Sequence, residues 1–360
     1  MSAGHSESER VVLDHPSYDD HEHVSFHRDP ASGLVSIIAV HDTTLGPALG
    51  GSRMWNYATE ADALDDVLRL SRGMTYKNAL AGLPLGGGKA VILADPKTDK
   101  SNDLFHAFGG HVASLDGRYI TAEDVGITDA DMEIVARRTR HVRGIRATGL
   151  GDPSPYTAWG VFCGMRAAAR FRLRRNSLDG LTVAVQGLGH VGARLAALVH
   201  ADGGRLIVAD IDEARVDEVT LRHGAKTAPV AEIHAVEADI FAPCALGAGL
   251  NEETIPDIRA GIVCGAANNQ LRTQADGEAL ATLGILYAPD YLVNAGGVIS
   301  IAPDRPGMNA DDMKDRISRI GATLTAVLRR AEAAAISPAV IADRMAEERI
   351  AAAKQARLSA

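Results

Sequence analysis

Cysteine is scarce in this sequence: Cys163, Cys244 and Cys264 are the only three in 360 residues. An odd count at wide spacing excludes a disulfide framework and a cysteine-based metal site. The apolar surroundings of all three suit small buried hydrophobes. A reducing, cytoplasmic setting is therefore expected. Positive charge is in deficit, with 37 Lys and Arg against 46 Asp and Glu, a net charge of −9. That balance disfavours a nucleic-acid or membrane-surface partner. No apolar run reaches the length of a membrane span. Met1 to Arg10 is polar, without the apolar stretch of a signal peptide, so none is expected. Aromatic residues make up only 4% of the chain.

Glycine is plentiful, at 36 residues. Many glycines are clustered, which marks backbone devices and not disorder. A hydrophobic fraction of 46% and a charged fraction of 23% are those of an ordinary soluble globular protein. A single core rarely serves 360 residues, so two domains are expected.

Along the chain, about the first 20 residues are polar and histidine-rich, and read as a solvated terminus. Leu34–Val40 reads as a strand and Thr43–Gly51 as a loop. Thr59 to Arg72 reads as a helix, with Thr59 capping and Ala61, Leu64, Val67 and Leu68 at helical spacing. Leu85–Lys89 leads into the strand Ala90–Leu93. Asp103–Leu115 reads as a helix and Tyr119–Ala122 as a strand. From Leu181 short apolar runs alternate with helical stretches, which predicts a parallel sheet covered on both faces. The expected fold is α/β. Two domains are expected, residues 1–145 and residues 146–329, the second a doubly wound parallel sheet. A C-terminal helix of about 330–360 packs back on the first domain.

Gly187-Leu188-Gly189-His190-Val191-Gly192 matches G-x-G-x-x-G between an apolar strand and a helix, the context that motif requires. Gly187 permits the turn, Gly189 lets backbone approach a pyrophosphate, and Gly192 permits close helix–strand packing. The helix start offers N–H groups to phosphate. Asp210 ends the next strand, 23 residues after the first glycine. A carboxylate there accepts from a ribose 2′-hydroxyl and repels a 2′-phosphate, so NAD is favoured over NADP. Arg215 nearby weakens that preference.

Two lysines stand out. Lys77 lies in Gly73-Met74-Thr75-Tyr76-Lys77-Asn78-Ala79, and Lys89 follows Gly86-Gly87-Gly88 and precedes an apolar strand. The second segment reads as buried, with its backbone closely approached. A buried lysine beside a second cation loses its proton easily, because desolvation and like charge both disfavour the ammonium. Lys89 is thus a candidate general base or Schiff-base nucleophile. Lys77, if charged, suits a substrate carboxylate. Asp124 is the candidate acidic partner.

Taken together these segments resemble the Glu/Leu/Phe/Val dehydrogenase family, most of all its leucine and valine branch. The resemblance runs from Leu34 to Ala302. Its carriers are GPALGG (Gly46–Gly51), GMTYKNALAGLPLGGGKAVI (Gly73–Ile92), GRYITAEDVG (Gly117–Gly126), DPSPYTAWGV (Asp152–Val161), VQGLGHVG (Val185–Gly192), APCALGA (Ala242–Ala248), GAANNQL (Gly265–Leu271) and LYAPDYLVNAGGVI (Leu286–Ile299). The resemblance implies a homo-oligomeric enzyme that oxidatively deaminates an amino acid, reversibly, with NAD, its substrate-binding domain over residues 1–145, its Rossmann-like dinucleotide-binding domain over residues 146–329 and a cleft between them. It assigns the substrate carboxylate to Lys77, the general base to Lys89 and proton shuttling to Asp124. It places Gly50, Gly51 and Met74 against the substrate. Asn268 and Asn294 position substrate and nicotinamide, while Pro153, Ser154, Thr157 and Ala245 lie near the cofactor. In the implied reaction hydride leaves Cα for the nicotinamide, water activated by Lys89 adds, and the carbinolamine collapses to a 2-oxo acid and ammonia.

Leu49, Ala122, Val298 and Ile301 occupy the family's side-chain pocket positions. Leu49 and Ile301 leave a substrate γ-carboxylate unpaired, so glutamate is disfavoured. A compact apolar pocket suits leucine, valine or isoleucine, which differ too little to separate here. An aromatic-specific enzyme of the same family is the alternative, and a non-catalytic NAD-binding regulator is the alternative from another class. The segment Arg143–Gly151 is shorter than the family's usual length.

Overall fold

The computed structural model describes residues 11–145, 152–245, 247–302 and 308–359. The shortened segment therefore falls largely outside the described residues, as does His5. Contacts divide the chain into two units: Met1–Asn78 with Pro84–Thr148, and Ala79–Leu83 with Gly149–Ala360.

The first unit is a five-stranded sheet with helices on both faces. Its elements are β1 (His23–Asp29), β2 (Leu34–Asp42), β3 (Ala48–Trp55), α1 (Glu60–Leu80), β4 (Gly86–Leu93), α2 (Asn102–Ser114), β5 (Tyr119–Glu123) and α3 (Asp129–Ala136). The strand order is β1-β2-β4-β3-β5. β3 runs parallel to β4 and β5, while β2 is antiparallel to β1 and β4. Side chains alternate across the pleat. Leu34, Ile38, Val40, Ala90 and Ile92 meet α2 through Leu104, Phe105 and Phe108. Ile37, Ala39 and Val91 meet α1 through Leu64, Val67 and Leu68. Each such buried Val, Leu, Ile or Phe side chain stabilises the unit by about 1.5–3 kcal/mol.

Three sequence expectations change here. The segment Thr43–Gly51 is not all loop, because Ala48–Gly51 is the start of β3. The helix expected to end at Arg72 continues to Leu80, so Lys77 sits in its last turn. The Gly86–Gly88 run is strand and not approach loop. The Thr59 cap forms as expected: Asp62 N–H donates to Thr59 Oγ1 at 3.1 Å, and Thr59 N–H to Asp62 Oδ2 at 3.1 Å.

The second unit contains α4 (Ser154–Leu173), β6 (Thr182–Gln186), α5 (Gly192–Ala201), β7 (Arg205–Ala209), α6 (Glu213–His223), β8 (Lys226–Thr227), β9 (Ile240–Pro243), β10 (Ile262–Val263), α7 (Gln274–Thr282), β11 (Leu286–Tyr287), α8 (Asp290–Val293), α9 (Gly296–Ile301), α10 (Ala310–Ala334) and α11 (Pro338–Leu358). Its strands form one parallel sheet, ordered β11-β10-β9-β6-β7-β8. The order reverses between β6 and β9, and such a switch point leaves a crevice at the strand C-termini. The terminal helix expected over about 330–360 is α11, which starts at Pro338 because Ala335 adopts φ 54° and ends α10. α11 packs on α10, α7 and β11. Its Arg349 donates to the carbonyls of Ala79 and Leu83, at 3.0 and 3.4 Å.

Candidate active site

Lys89 lies on β4, opposite Ala39 of β2, and is only 6% exposed. Its ammonium pairs with Asp124 Oδ2, just beyond the end of β5. A second cation reaches the same oxygen: Arg53 Nε of β3 stands 3.5 Å away. Burial alone raises the Asp124 pKa, and the Lys89 and Arg53 charges outweigh it, holding the carboxyl at about 2. The Arg53 guanidinium also donates to Asp66 on α1, at 2.9 and 3.2 Å, and Tyr57 hydroxyl donates to Asp66 at 2.6 Å. Beside the two lysines that the sequence singles out, Arg53 is a further cation at this carboxylate. Arg53, Asp66 and Tyr57 were missed, although an arginine inside the buried run of β3 was a visible signal.

Glycines bring α1 onto this strand. A Cβ at Gly87 would overlap the Thr75 backbone of α1, and one at Gly88 would lie 2.8 Å from the Tyr119 ring. Asn78, fully buried, donates to the carbonyls of Gly86 at 2.6 Å and Leu49 at 3.3 Å. Lys77 is thereby carried beside the Lys89 strand by its neighbours in α1. Gly50 and Gly51 have a packing reason of their own: a Cβ at Gly50 would overlap Gly88 O, and one at Gly51 would come within 2.6 Å of Glu123 O. The side chain of Met74 approaches the Gly50 position, at 3.2 Å.

Leu49 and Ala122 are buried on adjacent strands, with exposures of 0% and 4%. Leu49 pairs with Gly87 and Ile120, and Ala122 with Gly51. The other two pocket candidates belong to the second unit, where Val298 is buried and Ile301 half-buried on α9.

The glycine loop joins β6 to α5. Gly187 adopts φ 92°, a left-handed value that side chains disfavour. A Cβ there would also meet Ala245 at 2.9 Å, and one at Gly192 would overlap Gly187 O. The site of a Cβ on Gly189 is open, with Arg215 Nη1 its nearest neighbour at 3.8 Å. His190 is exposed and Val191 directly precedes α5. Asp210 accepts from the Leu188 N–H through Oδ2 and from the Asp212 N–H at 2.8 Å through Oδ1. The aspartate thus holds the loop in shape. Arg215 is engaged by Asp212 at 3.0 Å.

Asn268 and Asn294 are brought together. Asn294 Nδ2 donates to Asn268 Oδ1 at 2.8 Å and to Ala266 O at 3.1 Å. Asn294 is 5% exposed, and its Oδ1 accepts no hydrogen bond. Thr157 sits against the start of α9: a Cβ on Gly297 would come within 2.6 Å of its Oγ1 and 3.6 Å of Pro153. Ser154 opens α4.

Family profiles match two stretches of the chain. Residues 21–141 match the "Glu/Leu/Phe/Val dehydrogenase, dimerisation domain", and residues 207–357 match "Glutamate/Leucine/Phenylalanine/Valine dehydrogenase". The chain is similar to leucine dehydrogenase of Bacillus cereus, 49% identical over 340 residues, covering 94% of this chain and 93% of that protein. It is similar to valine dehydrogenase of Streptomyces virginiae, 49% identical over 345 residues, covering 94% of this chain and 96% of that protein. Among solved structures it matches L-tryptophan dehydrogenase from Nostoc punctiforme at 44% identity with a TM-score of 0.80, covering 93% of this chain and 97% of that one. The resemblance carried by Gly73–Ile92 and Val185–Gly192 thus extends along nearly the whole chain, which belongs to the Glu/Leu/Phe/Val dehydrogenase family and is an amino-acid dehydrogenase.

Proposed function

We propose that this enzyme oxidatively deaminates a branched-chain aliphatic L-amino acid with NAD, giving the 2-oxo acid and ammonia. The observation that carries the reading is the buried Lys89–Asp124 pair on strands lined by Leu49 and Ala122. A charged side chain has no counter-ion in either pocket residue, and an unpaired buried charge is costly. Val298 and Ile301 carry the same apolar character on α9 of their own unit.

The residues present fit a nicotinamide dinucleotide. The glycine loop leaves Gly189 open at the helix start, where backbone N–H groups favour phosphate. The orphaned Asn294 Oδ1 is an acceptor that a carboxamide N–H would satisfy. Asp210 keeps lone pairs beyond its two backbone bonds for a ribose hydroxyl, and its charge repels a 2′-phosphate. That supports NAD over NADP.

When bound, the dinucleotide would supply the hydride acceptor for the substrate Cα. Lys77 holds the substrate carboxylate by charge. Lys89 takes a proton from the substrate ammonium, then from the water that adds to the imino acid. Asp124, held at about 2, enters turnover as a carboxylate and carries a proton only in transit to the departing amine. The balance is amino acid, NAD⁺ and water giving 2-oxo acid, ammonium, NADH and one proton. Asn268 and Asn294 orient substrate and nicotinamide.

A homo-oligomer is supported by the dimerisation domain matched at residues 21–141. A cytoplasmic setting is supported by the three free cysteines. Among the described residues no helix is long and apolar enough to cross a membrane.

The test is NADH formation from leucine, valine, isoleucine, phenylalanine, tryptophan and glutamate. Branched-chain substrates are expected to lead. The similarity to a tryptophan dehydrogenase favours a second reading, an aromatic substrate. A higher kcat/KM on phenylalanine or tryptophan than on any aliphatic substrate would replace the first reading with the second.

A further inference from the structure

Arg53 is a buried arginine between two carboxylates. It lies on β3, with its side chain 19% exposed. One arm of the guanidinium is committed, since Nη1 forks onto both oxygens of Asp66, which Tyr57 also holds. The other arm is not. Nε is buried and makes no hydrogen bond, yet it faces Asp124 Oδ2 at 3.5 Å. That oxygen is the one Lys89 holds in close contact.

A buried N–H without a partner costs about 1–3 kcal/mol. The fold places this one beside an anion already in use. Lys89 must release its hold when it turns to substrate. A buried carboxylate left without a close cation is strongly disfavoured. A short approach by Nε then completes the missing hydrogen bond. Arginine keeps its charge throughout, so it cannot compete for the proton that Lys89 moves.

We propose that Arg53 is the positioning residue of this site: anchored to α1 through Asp66, it takes over Asp124 when Lys89 leaves it. The charged and titratable groups facing Asp124 are Lys89 of β4, Arg53 of β3, Tyr119 of β5 and Tyr57, with Asp66 of α1 behind Arg53. Asp66 fixes the guanidinium through both of its oxygens, so it holds Arg53 in place for that role.

This inference rests on Lys89 being the base. The experiment measures kcat and KM for the amino acid in wild type, Arg53→Gln, Arg53→Lys and Asp66→Asn, alongside Lys89→Ala, with folding followed by circular dichroism. In Arg53→Gln kcat is expected to fall on the order of 10²-fold with KM nearly unchanged. Arg53→Lys is expected to restore part of the rate, and Asp66→Asn to lower kcat by less. A purely structural role would lower stability without splitting kcat from KM. If Arg53→Gln does not fold, the kcat of Asp66→Asn decides. An unchanged kcat in the folded variants overturns the proposal, provided Lys89→Ala is inactive. An active Lys89→Ala overturns the reading of Lys89 instead.

Discussion

The two units hold their functional groups by different means. In the first, charged side chains are sunk into the sheet face under α1: Lys89, Asp124, Arg53 and Asp66 form one connected ion network. In the second, the glycine loop presents backbone, and its one carboxylate, Asp210, is spent partly on holding that backbone. Buried charge interacts strongly and titrates far from its usual range. Backbone N–H groups do not titrate, and they suit a ligand bound by its phosphates. On the proposed reading, the first unit is therefore where protons move, and the second where a ligand is gripped.

Sharp consequences follow for each unit. The largest expected effect is from Lys89→Ala, which should cut kcat by about 10²- to 10⁴-fold, the usual worth of a positioned proton-transfer group. Coenzyme binding, followed by NADH fluorescence, should survive. Gly192→Val should do the reverse. Its side chain has to displace Gly187 O, so NADH binding should be lost while the protein stays folded by circular dichroism. If Gly192→Val still bound NADH with unchanged affinity, the loop would not be the site. Asn294→Ala should weaken NADH binding about tenfold, the loss of one good hydrogen bond in a buried setting. The smallest effect concerns acid stability. Burial holds His21 and His111 of the first unit down to about 4. Both therefore favour the folded state fully above their unfolded value of about 6.5. That contribution is lost as pH falls from there towards 4. Urea midpoints measured across this range should decline, and the decline should be shallower in His111→Asn.

The sequence made some of this legible and concealed the rest for physical reasons. The G-x-G-x-x-G loop was readable because strand, glycines and helix are contiguous. Lys89 was readable because three glycines and an apolar strand surround it. β3 was misread because Gly50-Gly51 looks like a turn, whereas the pair exists to let strand backbones touch. α1 was cut short because Gly73 and the polar run after it weaken the helical pattern, while docking through Thr75 and Asn78 sustains it. Arg53 was missed because its meaning lies in Asp66 and Asp124, which are far away in sequence. Pairings of that kind leave no local periodicity to find.

The seam between α1 and β4 has a consequence for re-engineering. At Gly87 the helix and the strand meet main chain to main chain, so no side chain there can be trimmed or enlarged. A library that varies these glycines will mostly return unfolded clones. Leu49 and Ala122, one strand pairing away, are ordinary side chains whose size is open to choice. On the proposed reading the machine tool and its interchangeable jaws are separate parts: substrate preference would be retooled at Leu49 and Ala122 while Lys89 stays bolted to a bed that does not move.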